Sequence, residues 1–459
     1  MQSQLNPTLL IYNILLALLF PLSLPVIFFY GLQKKKNILE GLSQRLRPFS
    51  KVKPPIGSGK KRFWIHAASV GEVKVARTLA AGLHSRFPHS EIFLSTFTIT
   101  GLREAEKISG VSEVSLLPLD FSLFIRPALK RIRPDFFFPI ESEFWPNLFF
   151  ELKKAGTPVI LMNGRVSERS FKRYLKFRFL LKNVLLQLDL ACMRTRADAD
   201  RIIALGVPQD RVRVVGNMKY DGVLSEWKKE DPGPLREIFK PRTGEKIVVF
   251  GNTREGEEAL LVPAIKKFLE AGTASVIIAP RHVERTREIA RLLGQAGIST
   301  ALWSELAAGK ERKTEDVALL DQMGRLFPLY GICAAAFIGG SLLPFGGQNV
   351  LEPAAFGIPV LFGRHMGNFQ EEAMILKESG GGIEVGSHEE IHFSIMKLLE
   401  NPEKAAKAGR AAADAVARQG GALEKCLDEL SALWVDKKNQ GSGARSQESE
   451  YEKNSLLAP

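Results

Sequence analysis

The stretch that most constrains what this chain can fold into runs from Phe337 to Gly363, FIGGSLLPFGGQNVLEPAAFGIPVLFG. An apolar run, Ala334 to Ile338, meets a loop carrying Gly339, Gly340, Gly346 and Gly347. A helix-like NVLEPAAFG segment follows, then a second apolar run, Pro359 to Phe362. Strand, loop, helix, strand is the repeating unit of a parallel α/β sheet. In such sheets ligands bind beyond the carboxyl ends of the strands, where this loop would lie. Glycines let a backbone approach an anion closely, and a following helix offers free N–H groups and the positive end of its dipole. Glu352, early in the helix, is suited to accept hydrogen bonds from sugar hydroxyls of a ligand whose phosphate rests on the loop. One isolated Gly-Gly pair would be turn punctuation; two pairs leading into an Asn-x-x-Glu helix point to a ligand.

The rest of the chain repeats the same alternation. Phe63 to Ser69, Glu91 to Thr98, Val114 to Asp120, Asp135 to Ser142, Pro158 to Val166, Leu188 to Thr195 and Val212 to Asn217 read as strands separated by helical or mixed segments. A polar, Pro-containing segment over 225–245 reads as a linker. A second alternating unit then follows, with strands at Ile247 to Asn252, Ala274 to Pro280 and Val317 to Asp321 before the glycine loop. At 459 residues the chain exceeds one ordinary core. The expected organisation is a membrane anchor over 1–33, a basic linker over 34–62, a Rossmann-like domain over 63–224, the linker, a second Rossmann-like domain with terminal helices over 246–436, and a disordered tail over 437–459.

From Met1 to Gln33 there is no charged side chain, and Leu9 to Phe29 supplies the roughly 20 apolar residues needed to cross a bilayer. Lys34, Lys35 and Lys36 follow at once, which by the positive-inside tendency puts the remainder in the cytoplasm. Pro21 and Pro25 leave a kinked, interfacial helix as the alternative to a straight span. The 63 Lys and Arg against 50 Asp and Glu give a net charge of +13 and favour an anionic partner. Arg165, Arg169, Lys172, Arg173 and Lys176 fall at helical spacing, as a solvated face or as one that meets anionic lipid headgroups. Nucleic acid is disfavoured because the cations are not interleaved with aromatics as stacking platforms. Cys192, Cys333 and Cys426 are far apart and give no metal framework.

Polar clusters gather where strands end. Ser69-Val70-Gly71-Glu72 joins the first strand to a helix, so Glu72 either complements the helix dipole or acts as a general base in the crevice. Glu141 and Glu143 flank Ser142 before Trp145-Pro146, a helix start; if the strand still runs there, the two carboxylates face opposite ways and at most one serves the crevice. Thr253 opens a second anion-suited turn, Arg281 follows Pro280 at a strand end, and Met323-Gly324-Arg325 marks a further helix start.

In this order and spacing SVGE from Ser69, ESEFWPN from Glu141, NTREGEE from Asn252, Pro280-Arg281-His282, Met323-Gly324 and the 339–363 run resemble the 3-deoxy-D-manno-octulosonic acid (Kdo) transferases of lipid A assembly. The resemblance covers roughly residues 10 to 430. It implies a GT-B fold, two doubly wound domains facing across a cleft, anchored at the inner membrane with the catalytic domains cytoplasmic. It implies metal-free, inverting transfer of Kdo from CMP-Kdo to a lipid A precursor, with no cofactor. Glu72 would be the base, with Ser69, Gly71, Glu141, Glu143 and Arg165 around it. Pro280, Arg281, Met323, Gly324, Arg325, Asn349, Val350, Leu351 and Glu352 would hold CMP, and Thr253, Gly346, Gly347 and Gln348 would form the phosphate and Kdo loop. Many members of that family carry Glu where this chain has Arg325 and His where it has Gln348; Gln still donates a hydrogen bond but cannot be cationic. A UDP-sugar transferase of the same fold, or a membrane-tethered binding protein, are the competing readings.

Overall fold

The computed structural model describes residues 7–33, 41–55, 59–241, 244–313 and 317–434. The chain divides into two compact units, the first formed by Met1–Gly222 with Gly421–Pro459, the second by Val223–Gly420. Lys34 to Lys36 and the expected tail over 437–459 lie outside the described residues.

The first unit is built on a parallel seven-stranded sheet of β1 (Arg62–Ala67), β2 (Glu91–Thr96), β3 (Glu113–Leu116), β4 (Phe136–Pro139), β5 (Val159–Gly164), β6 (Leu188–Met193) and β7 (Val212–Val214). Their order is β3-β2-β1-β4-β5-β6-β7. Strands that read as continuous apolar runs are buried on both faces, as the doubly wound pattern requires. Phe63, Ile65, Phe136 and Phe138 lie in one core layer, while Trp64, Phe93 and Phe137 lie in the other. The order reverses between β1 and β4, which sit side by side with His66 opposite Pro139. Loops leaving these two strands therefore diverge, and the gap they leave is the ligand site of such sheets.

The second unit repeats the plan with β8 (Lys246–Thr253), β9 (Ala274–Pro280), β10 (Thr300–Leu302), β11 (Val317–Leu319), β12 (Ala335–Ile338), β13 (Val360–Phe362) and β14 (Gly382–Glu384). Their order is β10-β11-β9-β8-β12-β13-β14, again all parallel. Here the reversal falls between β8 and β12, so the Asn252 turn and the glycine loop leave neighbouring strands. Two of these strands are absent from the sequence reading. β10 and β14 are short edge strands, Thr-Ala-Leu and Gly-Ile-Glu, only partly buried and without the continuous apolar run that marks β11 and β13.

Three boundaries differ from expectation. The supposed basic linker is partly core, for Phe49 is buried edge-on against Trp64 and Phe93. The 225–245 linker contains a helix, Gly233–Phe239, that buries Leu235 and Phe239. The last helical segment is not one element within the second domain. A helix over Pro402–Arg418 ends, Gly421 takes a positive φ of 91°, and residues 422–434 form a helix whose Ala422, Cys426, Leu427 and Leu430 enter the core of the first unit.

The N-terminal segment forms a helix over Pro7–Gln33. Among the described residues no helix is long and apolar enough to cross a membrane. The anchor was expected to stand in lipid; its first turns are instead docked by polar groups. The Tyr12 hydroxyl donates to Asp120 Oδ2 (2.8 Å), Asn13 and Asn147 exchange amide hydrogen bonds (3.1 and 2.7 Å), and Asn183 Nδ2 donates to the Thr8 hydroxyl (2.5 Å). Asp120 also accepts the Asn147 and Leu148 backbone N–H groups and so caps the Pro146–Lys154 helix. Burial pushes this carboxyl up to about 6.

Candidate functional site

At the reversal point of the first unit, β1 passes through Ala68 and Ser69 into the Val70–Arg86 helix. Ser69 is the helix N-cap; its Oγ accepts the Glu72 N–H (3.4 Å) and donates to Glu72 Oε1 (3.0 Å), while Glu72 Oε2 accepts the Ala68 N–H (2.8 Å). This is close to a capping box, so the dipole-complementing role of Glu72 is real. Its chemistry goes further. Desolvation by burial pushes the Glu72 carboxyl up to about 7, with the neighbouring charges of Glu143 and Glu141 adding to the rise against the lowering hydrogen bonds from Ala68 and Ser69. A carboxyl balanced at neutral pH can take a proton and release it again.

Both Glu141 and Glu143 reach that field, against the expectation that at most one would. The alternation rule fails because β4 stops at Pro139; Ile140 keeps a single bridge to Met162, and Glu141 adopts a left-handed backbone with φ 61°. Glu141 Oε1 lies 4.0 Å from Arg194 Nη1 and 3.8 Å from Lys219 Nζ. Glu143 Oε2 accepts from the indole of Trp145 (3.1 Å) and lies 3.6 Å from Nε2 of the fully buried His66. His66 Nδ1 is held by the Ser95 carbonyl and hydroxyl (3.1 and 3.0 Å). Arg165 joins through its backbone, donating its N–H to the Glu141 carbonyl (3.2 Å). Gly71 is exposed, beside Ser69. His66, Arg194 and Lys219 escaped the sequence reading. His66 and Arg194 stand at or just past a strand's carboxyl end, the position that marked Glu72; His66 is concealed inside the apolar run FWIHAA, whereas Arg194 lies in the polar Arg-Thr-Arg stretch that opens the next helix.

The second unit corrects the picture of its own loop. The glycines serve packing. A Cβ on Gly339 would come within 2.5 Å of the Thr253 Cα, one on Gly347 within 2.4 Å of the Met366 sulfur, and one on Gly346 within 2.5 Å of the Asn368 amide. The loop N–H groups are occupied as well. Glu257, fully buried, accepts from Gly340 N (2.5 Å), Ser341 N (2.9 Å), Leu342 N (2.9 Å) and Arg254 N (2.9 Å). Thr253, expected to meet phosphate, is buried and donates its hydroxyl to Glu258 (2.9 Å), which Arg285 also holds through two contacts of 2.9 and 3.2 Å. Nor is the helix after the loop a strong anion site: it spans only Leu351–Ala355, and Asn349 Oδ1 already accepts the Leu351 N–H.

What remains presented at the ends of β8, β9, β11 and β12 is a set of side chains. Arg254 lies over the Phe345 ring at 4.7 Å, and Gln348 packs against Gly340. Pro280 closes β9 and Arg281 follows it, exposed, its N–H donating to the Thr253 carbonyl. Met323 is 72% exposed, Gly324 has φ 78°, and Arg325 precedes the Leu326–Leu329 helix. Asn349 Nδ2 donates to Glu352 Oε1 (3.0 Å), while Val350 and Leu351 are buried behind them. Beyond β13 a pocket of about 570 Å³ includes Gly346, Arg364, His365 and Met366 in its lining. Among the described residues no group of three or more His, Cys, Asp or Glu side chains is disposed to hold a metal ion.

Two doubly wound units, each with its polar residues at the reversal of strand order, define a GT-B-type α/β protein. The same architecture occurs in the UDP-GlcNAc 2-epimerase of Neisseria meningitidis, with a TM-score of 0.57 over 81% of this chain and 99% of that one; at 14% identity the likeness is one of fold. The family model for 3-deoxy-D-manno-octulosonic-acid transferase matches residues 40–222. The 3-deoxy-D-manno-octulosonic acid transferase of Haemophilus influenzae is 32% identical over 91% of this chain and 97% of its own length. A bifunctional glycosyltransferase/methyltransferase of Fusobacterium nucleatum is 32% identical over 74% of this chain, which spans 52% of that protein. The chain belongs to the 3-deoxy-D-manno-octulosonic acid transferase family.

Proposed function

We propose that the chain transfers Kdo from CMP-Kdo to a lipid A precursor in lipopolysaccharide core assembly, releasing CMP, with Glu72 as the base. The observation that carries this is the Glu72 carboxyl, pushed up to about 7 beside Glu141 and Glu143 at the reversal point of the first sheet. In the reaction the acceptor sugar hydroxyl gives its proton to Glu72 as its oxygen bonds the anomeric carbon of Kdo. The bond from that carbon to the CMP phosphate breaks with inversion, and its electron pair leaves on the phosphate. Base assistance of this kind is worth roughly 10²–10⁴ in rate. Arg194 and Lys219 stand beside Glu141 and offset its charge, which leaves Glu72 as the carboxyl suited to take the proton.

The donor belongs to the second unit, where Arg281 and Arg254 meet charge growing on the phosphate, Glu352 takes ribose hydroxyls, and Met323 to Arg325 border the base. Side-chain cations suffice for that charge, and the reading requires no metal. The membrane surface is the third partner. Leu18, Leu19 and Leu22 of the N-terminal helix are exposed, as are Phe177 and Phe179, which follow the Glu168–Lys176 helix with its exposed Arg169, Lys172, Arg173 and Lys176. Apolar side chains beside cations suit an anionic bilayer interface, here the cytoplasmic face of the inner membrane. The test is CMP release from CMP-Kdo with a tetraacylated lipid A precursor in detergent, products resolved by mass. Turnover by the wild type, lost in Glu72→Ala with CMP affinity kept, is expected; no turnover by the folded wild type would refute the assignment.

A further inference from the structure

The loop that marks this sequence already contains an anion. Oxygen Oε1 of Glu257 accepts from Ser341 and Leu342, and Oε2 accepts from Gly340 and Arg254, so one carboxylate fills the concavity that four backbone N–H groups create. Its side chain comes from the first turn of the Glu257–Ala271 helix, which follows β8, and three of its four partners lie on the loop after β12. Glu257 thus ties together the two connections that flank the reversal of strand order. Other groups of the loop are engaged elsewhere: Gly347 N donates to the Gly340 carbonyl, and the Ser341 hydroxyl accepts the N–H of Gly363, which follows β13.

We infer that Glu257 is a positioning residue, a resident anion that fixes the glycine loop and Arg254 so that the donor phosphate is received by side chains and not by the Gly340–Leu342 amides. The inference rests on the donor assignment proposed above. Arg254 is the group it places most directly, since the carboxylate holds its N–H while its guanidinium lies over Phe345, a loop residue. A carboxylate is required because all four partners are donors. Glutamine offers one acceptor oxygen and one NH2, so in either amide orientation two N–H groups would face a donor.

The test uses the full chain in detergent and compares wild type, Glu257→Gln and Arg254→Ala. Measured quantities are KM for CMP-Kdo, KM for the lipid acceptor, Ki for CMP and the CMP affinity by calorimetry. Both variants are expected to raise the donor KM and the CMP Ki by about tenfold or more. The acceptor KM should stay near the wild-type value. A purely structural Glu257 would lower the melting temperature and the active fraction while leaving every KM unchanged, and that result overturns the inference. If Glu257→Gln does not fold, Arg254→Ala, whose side chain lies on the loop surface, decides: an unchanged donor KM refutes recognition by side chains. A wild type that binds CMP without transferring Kdo would sink the transfer reading and leave the affinities to judge this one; a wild type that binds no CMP would overturn both.

Discussion

Glu72→Gln should separate the stability of the protein from its activity. The side chain keeps its shape and loses its titration. In the folded protein burial and two carboxylates move the group from 4.5 to about 7, and at about 1.4 kcal/mol for each tenfold change in proton affinity this amounts to about 3 kcal/mol. The sign follows from which state releases its proton first. Between pH 4.5 and about 7 the unfolded chain has ionised Glu72 while the native protein retains the proton. Native stability therefore falls as pH rises through that window and is insensitive to this group below and above it. Glutamine removes the slope. Relative to Glu72→Gln, the wild type should lose about 2–3 kcal/mol between pH 4.5 and 8, read from urea unfolding of both proteins at half-unit pH intervals. The same variant should lose about 10²–10⁴ in kcat/KM, and the wild-type pH–rate profile should show its acidic limb near 7. A stability difference that stays flat across the window would refute the raised proton affinity, and with it the reason for choosing Glu72 over its neighbours.

Asp120→Ala removes the acceptor shared by Tyr12 and the Asn147 and Leu148 N–H groups; a loss of about 2–4 kcal/mol is expected, together with faster proteolysis within residues 7–33. Arg285→Ala strands the buried Glu258 with only the Thr253 hydroxyl, which should cost about 3–5 kcal/mol in chemical unfolding. Most of that cost should return when Glu258→Gln is added. Gly339→Ala forces a Cβ onto the Thr253 and Asn252 backbone and should destabilise by about 2 kcal/mol or more, whereas Gly367→Ala, with nothing within 4 Å, should leave the melting temperature nearly unchanged.

The alternation of apolar runs with amphipathic segments was enough to read most of both sheets, because strands covered on two faces must be apolar throughout. Glu72 was legible from its position alone, at the junction of a strand and a helix. Glu141 and Glu143 were legible as residues but not as a pair, since the nearness of both to Glu72 depends on β4 ending at Pro139 and on a left-handed residue that no side-chain pattern announces. Glu257 was hidden in plain view: within Glu-Gly-Glu-Glu it looks like ordinary complement to a helix dipole, and only the fold brings Gly340 to Leu342 against it. The N-terminal helix was read from its apolarity, while Tyr12 and Asn13, the groups that dock it, are local exceptions whose partners lie more than a hundred residues away.

The helix over residues 422–434 gives the first unit an unusual schedule. Leu423 and Leu427 pack against Gly82, and Cys426 and Leu430 complete a core whose other members were translated hundreds of residues earlier. On the ribosome, therefore, the first unit emerges first and is finished last. Until the final segment leaves the exit tunnel, the nascent chain exposes an apolar groove along the Val70–Arg86 helix, while the second unit can already close. A stop codon just after Arg418 would spare every residue proposed for chemistry and still strip the 422–434 helix from the core against which the helix carrying Glu72 packs.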